Sequence, residues 1–372
     1  MVKKRLAYIS SESFVHGDKP VLLALSKVYE IGWFIVFKEN SNASKFKPAD
    51  IEAYAQKIGL QNTFKISRKI RSRNPLNIYK DFKDIVKKVR IFSPDYVLVE
   101  GAHNPYWPLV ARLSFKSKKM VFGIHNAIPH SSVGGCFHYL RDMLSFRLFK
   151  NYLFYSSTQK NIFDRHIPGK NTFHIDLFLK DYGEASQPRQ DVKHNNFLFF
   201  GTAYYYKGLD ILLDSLEILS KYDMKYNLKI AGRFPDNDYL NHRVLKNNPN
   251  VEIDNRLIPN EEIPDLFSKA DFLILPYRDV TQAGPLLIAY NYNLPVIASD
   301  HDWFQTKIKN NETGMLFRSK DSQSLGSILF QAICMSNEEY ALMKHKLSRY
   351  IKDNFSEESM ISKYKNLFKS LK

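Results

Sequence analysis

The chain has 372 residues, length for two or three domains of ordinary size, and its 44% hydrophobic and 14% aromatic content excludes the disordered and fibrous classes. Lys and Arg total 54 against 38 acids, a net charge of +16, so an anionic partner or surface is expected. The excess is uneven: residues 1–184 hold 30 basic and 15 acidic residues (+15), whereas residues 185–372 hold 24 and 23 (+1).

Cys136 and Cys334 are the two cysteines, too few for a disulfide framework, and no Cys/His cluster has zinc spacing; a reducing cytoplasm is the expected compartment. The apolar stretch at the N-terminus is short and interrupted by Ser10, Ser11 and Glu12, so it reads as a first strand rather than a signal peptide. No stretch approaches the roughly 18–20 apolar residues of a membrane span.

In chain order, Leu6 to Ser10 reads as a strand, followed by a loop holding His16-Gly17-Asp18, a helix opened by Pro20 and running to about Glu30, and a strand from Trp33 to Phe37. Residues 76–92 have helical periodicity, with Ile78, Phe82, Ile85, Val86 and Val89 on one face. Strands at 96–99, 120–124 and 152–155 follow. The polar stretch 185–195 reads as a linker between a domain of residues 1–184 and one of residues 196–355. The pattern then restarts: strand 197–200, helix 207–220, strand 228–231, a strand around Val251, helix 261–269, strand 272–275, a helix near 285–292 and strand 296–298. Three helical stretches close the chain, and the last, within 356–372, is expected to pack back on the first domain. Strands separated by helix-length segments indicate α/β domains with parallel sheets, and the two together predict a pair of doubly wound sheets flanking a cleft.

Three segments carry chemistry. Gly201-Thr202-Ala203-Tyr204-Tyr205-Tyr206-Lys207-Gly208 joins a strand end to a helix start, where backbone amides, the positive helix pole and an ammonium can meet a phosphate. Thr281-Gln282-Ala283-Gly284 precedes a second helix, and its small residues let amides approach an anion. His125, with Asn126 and His130, follows a first-domain strand; a neutral imidazole there can bond a substrate hydroxyl or act as a general base. Asp18, Glu100, Glu12 and His16 are alternative bases. The triplets Asp236-Asn237-Asp238 and Asp300-His301-Asp302 are candidate cation ligands, which the two-domain pattern accounts for as loop residues, so no metal is expected.

The segments Gly201–Gly208, Leu228–Arg233, Ala270–Arg278, Thr281–Gly284, Leu294–Ala298 and Asn311–Leu316 occur in an order that resembles the GT-B glycosyltransferases of the large retaining family 4, and Gly123-Ile124-His125-Asn126-Ala127-Ile128-Pro129-His130 resembles that family's strand-end histidine segment. The resemblance implies two Rossmann-like domains, a nucleotide-diphosphate sugar on the second and an acceptor on the first. By it, Lys207 contacts the diphosphate, Thr281, Gln282, Ala283 and Gly284 form the phosphate loop, His125 sits over the donor sugar, and Gly17 faces the diphosphate. The family's diphosphate arginine is replaced by Thr202, for which Arg233 is the candidate substitute; its paired glutamates fall on Val280 and Ile288. The implied function is transfer of a sugar, with retention favoured, to a lipid-linked or saccharide acceptor in capsule, O-antigen or exopolysaccharide synthesis. A UDP-sugar is favoured over a GDP-sugar, and no cofactor is needed.

The basic residues cluster at Lys65, Arg68, Lys69, Arg71 and Arg73, on the 76–92 helix at Lys80, Lys83, Lys87, Lys88 and Arg90, and at Arg112, Lys116, Lys118 and Lys119; residues 137–150 mix aromatic and basic side chains. A surface of this kind suits anionic lipid, so a peripheral location on the inner face of the cell membrane is expected, with a polyprenyl-diphosphate-linked acceptor. The alternatives are a catalytically impaired GT-B partner subunit and a basic nucleic-acid-binding protein; the latter is disfavoured because no nucleic-acid module is recognisable.

Overall fold

The structure is a computed structural model that describes residues 2–11, 14–38, 48–60, 62–68, 75–100, 107–125, 146–186, 195–222, 224–235, 239, 241–245 and 248–371. Glu12, Asn126, His130, the triplet 236–238, Cys136, and residues 187–194 of the expected linker lie outside the described residues. The chain divides into two compact units, one of residues 1–178 with 357–372 and one of residues 179–356.

The first unit is built on seven parallel strands: β1 (Lys4–Ser11), β2 (Tyr29–Lys38), β3 (Asn62–Arg68), β4 (Tyr96–Glu100), β5 (Met120–Ile124), β6 (Asn151–Phe154) and β7 (Asn171–His174). They lie in the order β3-β2-β1-β4-β5-β6-β7. Side chains alternate across the sheet, as a strand requires: Leu6 and Tyr8 join one apolar cluster, and Ala7 and Ile9 join the other. Helices α1 (Val15–Ser26) and α2 (Pro48–Lys57) contribute to the first cluster. The helix α3 (Pro75–Phe92) seats Phe82, Ile85 and Val89 in the second, which also takes residues of α4 (Trp107–Ser114) and α5 (Ser157–His166).

Three sequence expectations are corrected here. Residues 16–18 are the first turn of α1 rather than a loop, because the helix starts a turn before Pro20; the proline removes only the amide that would have met the carbonyl four residues back. The same helix ends at Ser26, which frees Tyr29 to begin β2. Strands β3 and β7 were not expected; each lies at an edge of the sheet, where short polar sequences pair with a single neighbour and carry a weak apolar signal.

The second unit repeats the plan with six parallel strands: β8 (Asn196–Phe200), β9 (Asn227–Ala231), β10 (Val251–Asp254), β11 (Phe272–Leu275), β12 (Val296–Ser299) and β13 (Gly314–Phe317). Their order is β10-β9-β8-β11-β12-β13. The helices are α6 (Leu209–Leu219), α7 (Ile263–Lys269), α8 (Gly284–Asn291), α9 (Asp302–Gln305), α10 (Ser322–Ile333) and α11 (Asn337–Phe355). The expected helix 207–220 divides into a 3-10 turn, Tyr205–Lys207, and α6, with the left-handed Gly208 between them.

The last helix, α12 (Glu357–Ser370), belongs to the first unit. It places Met360, Tyr364, Leu367 and Phe368 in that unit's first apolar cluster, at the spacing of one helix face, and Phe368 stacks on Tyr96 with centroids 5.0 Å apart. Lys27 pairs with Glu357 at the helix start.

Candidate functional site

In an open parallel sheet, ligands bind outside the carboxyl ends of strands where the strand order reverses. In the second unit that point lies between β8 and β11, which pair with each other. The residues following these two strands are Gly201–Gly208 and Pro276–Gly284.

The first segment is shaped by glycines. Gly201 turns the chain at φ +103°, and its amide donates to the Ala231 carbonyl at 2.8 Å, while the Ala203 amide donates to Arg233 at 2.8 Å. The turn after β8 therefore runs beside residues 231–233, closely enough that a Cβ on Gly232 would lie 2.2 Å from the Gly201 carbonyl oxygen. Thr202 is half-buried on one of these strand extensions and the Arg233 side chain is exposed on the other.

Gly208 closes the 3-10 turn at φ +67°, and a Cβ there would stand 2.0 Å from the Pro276 carbonyl oxygen. Arg278 clamps the same turn: its guanidinium holds Asp210 through two nitrogens and donates to the Tyr205 carbonyl at 3.0 Å, and its amide donates to the Tyr206 carbonyl at 2.7 Å. So held, Lys207 points inward. It is only 8% exposed, and its Nζ lies 2.9 Å from where a Gly201 Cβ would be and 5.9 Å from the centre of the Tyr277 ring. Burial pushes its ammonium down to about 8, with no carboxylate to oppose the shift.

The second segment ends at α8, whose N-cap, Ala283, offers no side-chain hydrogen bond and whose first turn has no acid. The Lys180 ammonium reaches this helix start, 3.0 Å from where a Gly284 Cβ would be, and burial lowers its pKa too. A cation beside the positive pole of a helix reverses the usual placement. Gln282 adds an amide nitrogen that is buried without a hydrogen-bond partner, and Thr281 is half-buried beside it. The buried Lys207 ammonium at the β8 end, and a half-buried Lys180 ammonium, an open helix start and an orphaned amide donor at the β11 end, are groups that attract an anion. Val280 is half-buried and Ile288 is 3% exposed, so neither position offers a carboxylate.

In the first unit the order reverses between β1 and β4. His125 directly follows β5, with its ring stacked between Phe14 and Tyr155, each at 4.7 Å. Glu100, at the end of β4, is 3% exposed, and His125 Nε2 stands 3.6 Å from its Oε2. Asp18 is buried on α1, where the Tyr8 hydroxyl donates to it at 2.8 Å. Gly17 is exposed, with no heavy atom of the described residues within 4 Å of a Cβ built on it.

The structure thus brings Lys207, Thr281, Gln282, Ala283 and Gly284 to two adjacent strand ends and sets Thr202 and Arg233 on the neighbouring pair. Sequence reasoning missed Lys180, which lies in a stretch without periodicity, and Tyr155, read as the end of a buried strand. Among the described residues, no group of three or more His, Cys, Asp or Glu is placed to hold a metal ion; the Asp300 carboxylate of the second triplet accepts from the Ser319 amide. No helix among the described residues is long and apolar enough to cross a membrane.

Comparison with known proteins bears on the second unit and on the fold. Residues 194–333 match the family model "Glycosyl transferases group 1". The chain is 27% identical over 180 residues to an uncharacterized 41.2 kDa protein in the cps region of Klebsiella pneumoniae, covering 47% of this chain and 46% of that one. It is 27% identical over 173 residues to a glycogen synthase of Acholeplasma laidlawii, covering 44% and 36%. The matched stretch therefore spans less than half the length of these curated relatives. Among solved structures, a glycosyltransferase from Rickettsia africae superposes with a TM-score of 0.73 at 16% identity, over 99% of this chain and 98% of that one. Anabaena Alr3699/HepE in complex with UDP and glucose gives 0.70 at 12%, over 99% and 100%. The chain has the GT-B fold of two Rossmann-like units, and residues 194–333, in the second of them, match the glycosyl transferases group 1 model.

Proposed function

We propose that the protein is a glycosyltransferase that moves a hexosyl group from a nucleotide-diphosphate sugar to a polyprenyl-diphosphate-linked or saccharide acceptor in surface-polysaccharide assembly. The observation that carries this reading is Lys207, a buried ammonium without a carboxylate partner among the described residues, held at the β8 strand end by Gly208 and Arg278. Charge builds up on the departing diphosphate as the glycosidic bond breaks, and fixed cations and amides aimed there stabilise it. Lys207, Lys180, Gln282 and the amides of 281–284 supply that charge without metal, and His125 places the sugar. Thr202 and Arg233 line the neighbouring strand ends as further donor contacts, and Gly17 stands at the start of α1 without a side chain to obstruct the diphosphate.

A UDP-sugar is the favoured donor, in line with the UDP bound by the Anabaena protein. The similarity to a protein of a cps region supports a polysaccharide role. Retention of configuration is the outcome that family resemblance favours. The exposed cations of α3 favour a peripheral place on the inner face of the cell membrane.

The test is turnover across UDP-, GDP- and dTDP-sugars with anomer-resolved product analysis. One donor is expected to react, and Lys207→Ala to lower the rate by roughly 100-fold while the melting temperature is kept. Unchanged turnover in that variant contradicts the assignment. Donor binding without transfer by the wild type supports instead an impaired partner subunit, the reading favoured by the absence of carboxylates at Val280 and Ile288.

A further inference from the structure

Glu100 and Gly123 face each other in the register of β4 and β5. The Glu100 carboxylate lies across the bare face of that glycine: a Cβ on Gly123 would be 2.5 Å from Oε2. Glycine is therefore what allows the carboxylate to lie there. The Tyr155 hydroxyl donates to Oε1, whereas Oε2 is buried without a hydrogen-bond partner among the described residues. A buried carboxylate oxygen left unmatched is costly, and it indicates a donor that closes on it.

His125 Nε2, at 3.6 Å, is that donor. The separation is just beyond hydrogen-bond reach, and contacts of this kind in catalytic centres often stand long until the reacting complex forms. The imidazole cannot swing away freely, because Phe14 and Tyr155 stack on its two faces with interplanar angles of 18° and 30°. The other titratable groups around the carboxylate are Asp18 on α1, Tyr8 on β1 and Tyr364 on α12. Burial pushes all three upward.

We propose that Glu100 is a positioning residue for His125. Its carboxylate accepts a hydrogen bond from Nε2–H and so fixes the neutral imidazole as the Nε2–H tautomer, which leaves Nδ1 as the acceptor for a hydroxyl of the bound sugar. Which nitrogen of a histidine acts is set by the hydrogen bond the other one makes. The role in transfer rests on the glycosyltransferase reading; the tautomer does not.

The experiment is 15N NMR of His125 in the full chain, at a pH where the imidazole is neutral, for the wild type, Glu100→Leu and Gly123→Ala. The glycine variant keeps the carboxylate but forces it from its place, so it covers the case in which the leucine variant does not fold. The wild type is expected to show the Nε2–H tautomer, and the variants a mixture. With a reacting donor, kcat should drop on the order of tenfold while donor KM stays near the wild-type value. A wild-type imidazole protonated on Nδ1, or a tautomer unchanged in both variants, overturns the proposal. If the tautomer responds but no nucleotide sugar is turned over by any form, the positioning stands and the glycosyltransferase reading is what has failed.

Discussion

The Lys180 ammonium stands 3.0 Å from the point a Cβ of Gly284 would occupy, at the open N-terminus of α8. Two positive features face each other there with no acid in the helix's first turn, an arrangement that an anion would reconcile. Replacing Lys180 with Met should keep the stem's packing and remove the charge. We expect the dissociation constant for UDP to rise by about 10- to 100-fold, the worth of one charge-assisted hydrogen bond, with the melting temperature unchanged or higher; calorimetric titration reads the first and a thermal scan the second.

Lys207 should have opposite effects on binding and on stability. Its pKa of about 8 in the fold lies below the ordinary 10.5, so the folded state disfavours the charge. Stability is therefore fully reduced below pH 8 and recovers as pH rises toward 10.5. Lys207→Met should stabilise the free protein at pH 7 by up to about 3 kcal/mol, measured by urea unfolding. A diphosphate favours the ammonium, so UDP affinity in the wild type should fall as pH rises from 7 to 9.5, and that fall should vanish in the Met variant.

Gly208 tests whether the turn, and not just the lysine, makes the site. With φ at +67° and a backbone oxygen 2.0 Å from any Cβ, Gly208→Ala cannot be accommodated by a side-chain shift. It should destabilise the second unit by about 2 kcal/mol or more and weaken UDP binding together with it. A variant with wild-type melting temperature and affinity would show that Pro276 does not press on this turn as described.

The doubly wound pattern was legible from the sequence because buried parallel strands read as short apolar runs: Phe272–Leu275 and Val296–Ser299 are completely buried. The edge strands β3 and β7 were not, since Asn62–Arg68 and Asn171–His174 mix polar residues with few apolar ones. At the site, the Gly-x5-Lys-Gly spacing located Lys207, but that the lysine is buried depends on Arg278, seventy-one positions away, bonding to Asp210. Lys180 carried no local signal at all, because its relation to Gly284 is purely tertiary. At α1, Pro20 signals a helix start, but the helix begins five positions earlier and holds the proline inside it.

The charge asymmetry predicts a separate behaviour. Lys83, Lys87 and Arg90 are exposed on α3, while Lys69, Arg71 and Arg73 of the neighbouring basic run lie outside the described residues. Reversing the three α3 charges to Glu should release the protein from vesicles containing anionic lipid, with each cation lost costing about 1 kcal/mol, and leave UDP binding intact. Co-sedimentation at low and high salt measures it, and retention on the vesicles would remove α3 from the docking surface.

The strand ends of the second sheet are expected to hold a nucleoside diphosphate. Calorimetric titration of UDP into the wild type and into the double variant Lys180→Met/Lys207→Met tests this directly. Saturable one-to-one binding by the wild type, lost in the double variant while the protein remains folded, is the predicted result. Equal affinity in both, or no binding of UDP, GDP or dTDP by the wild type, would contradict it.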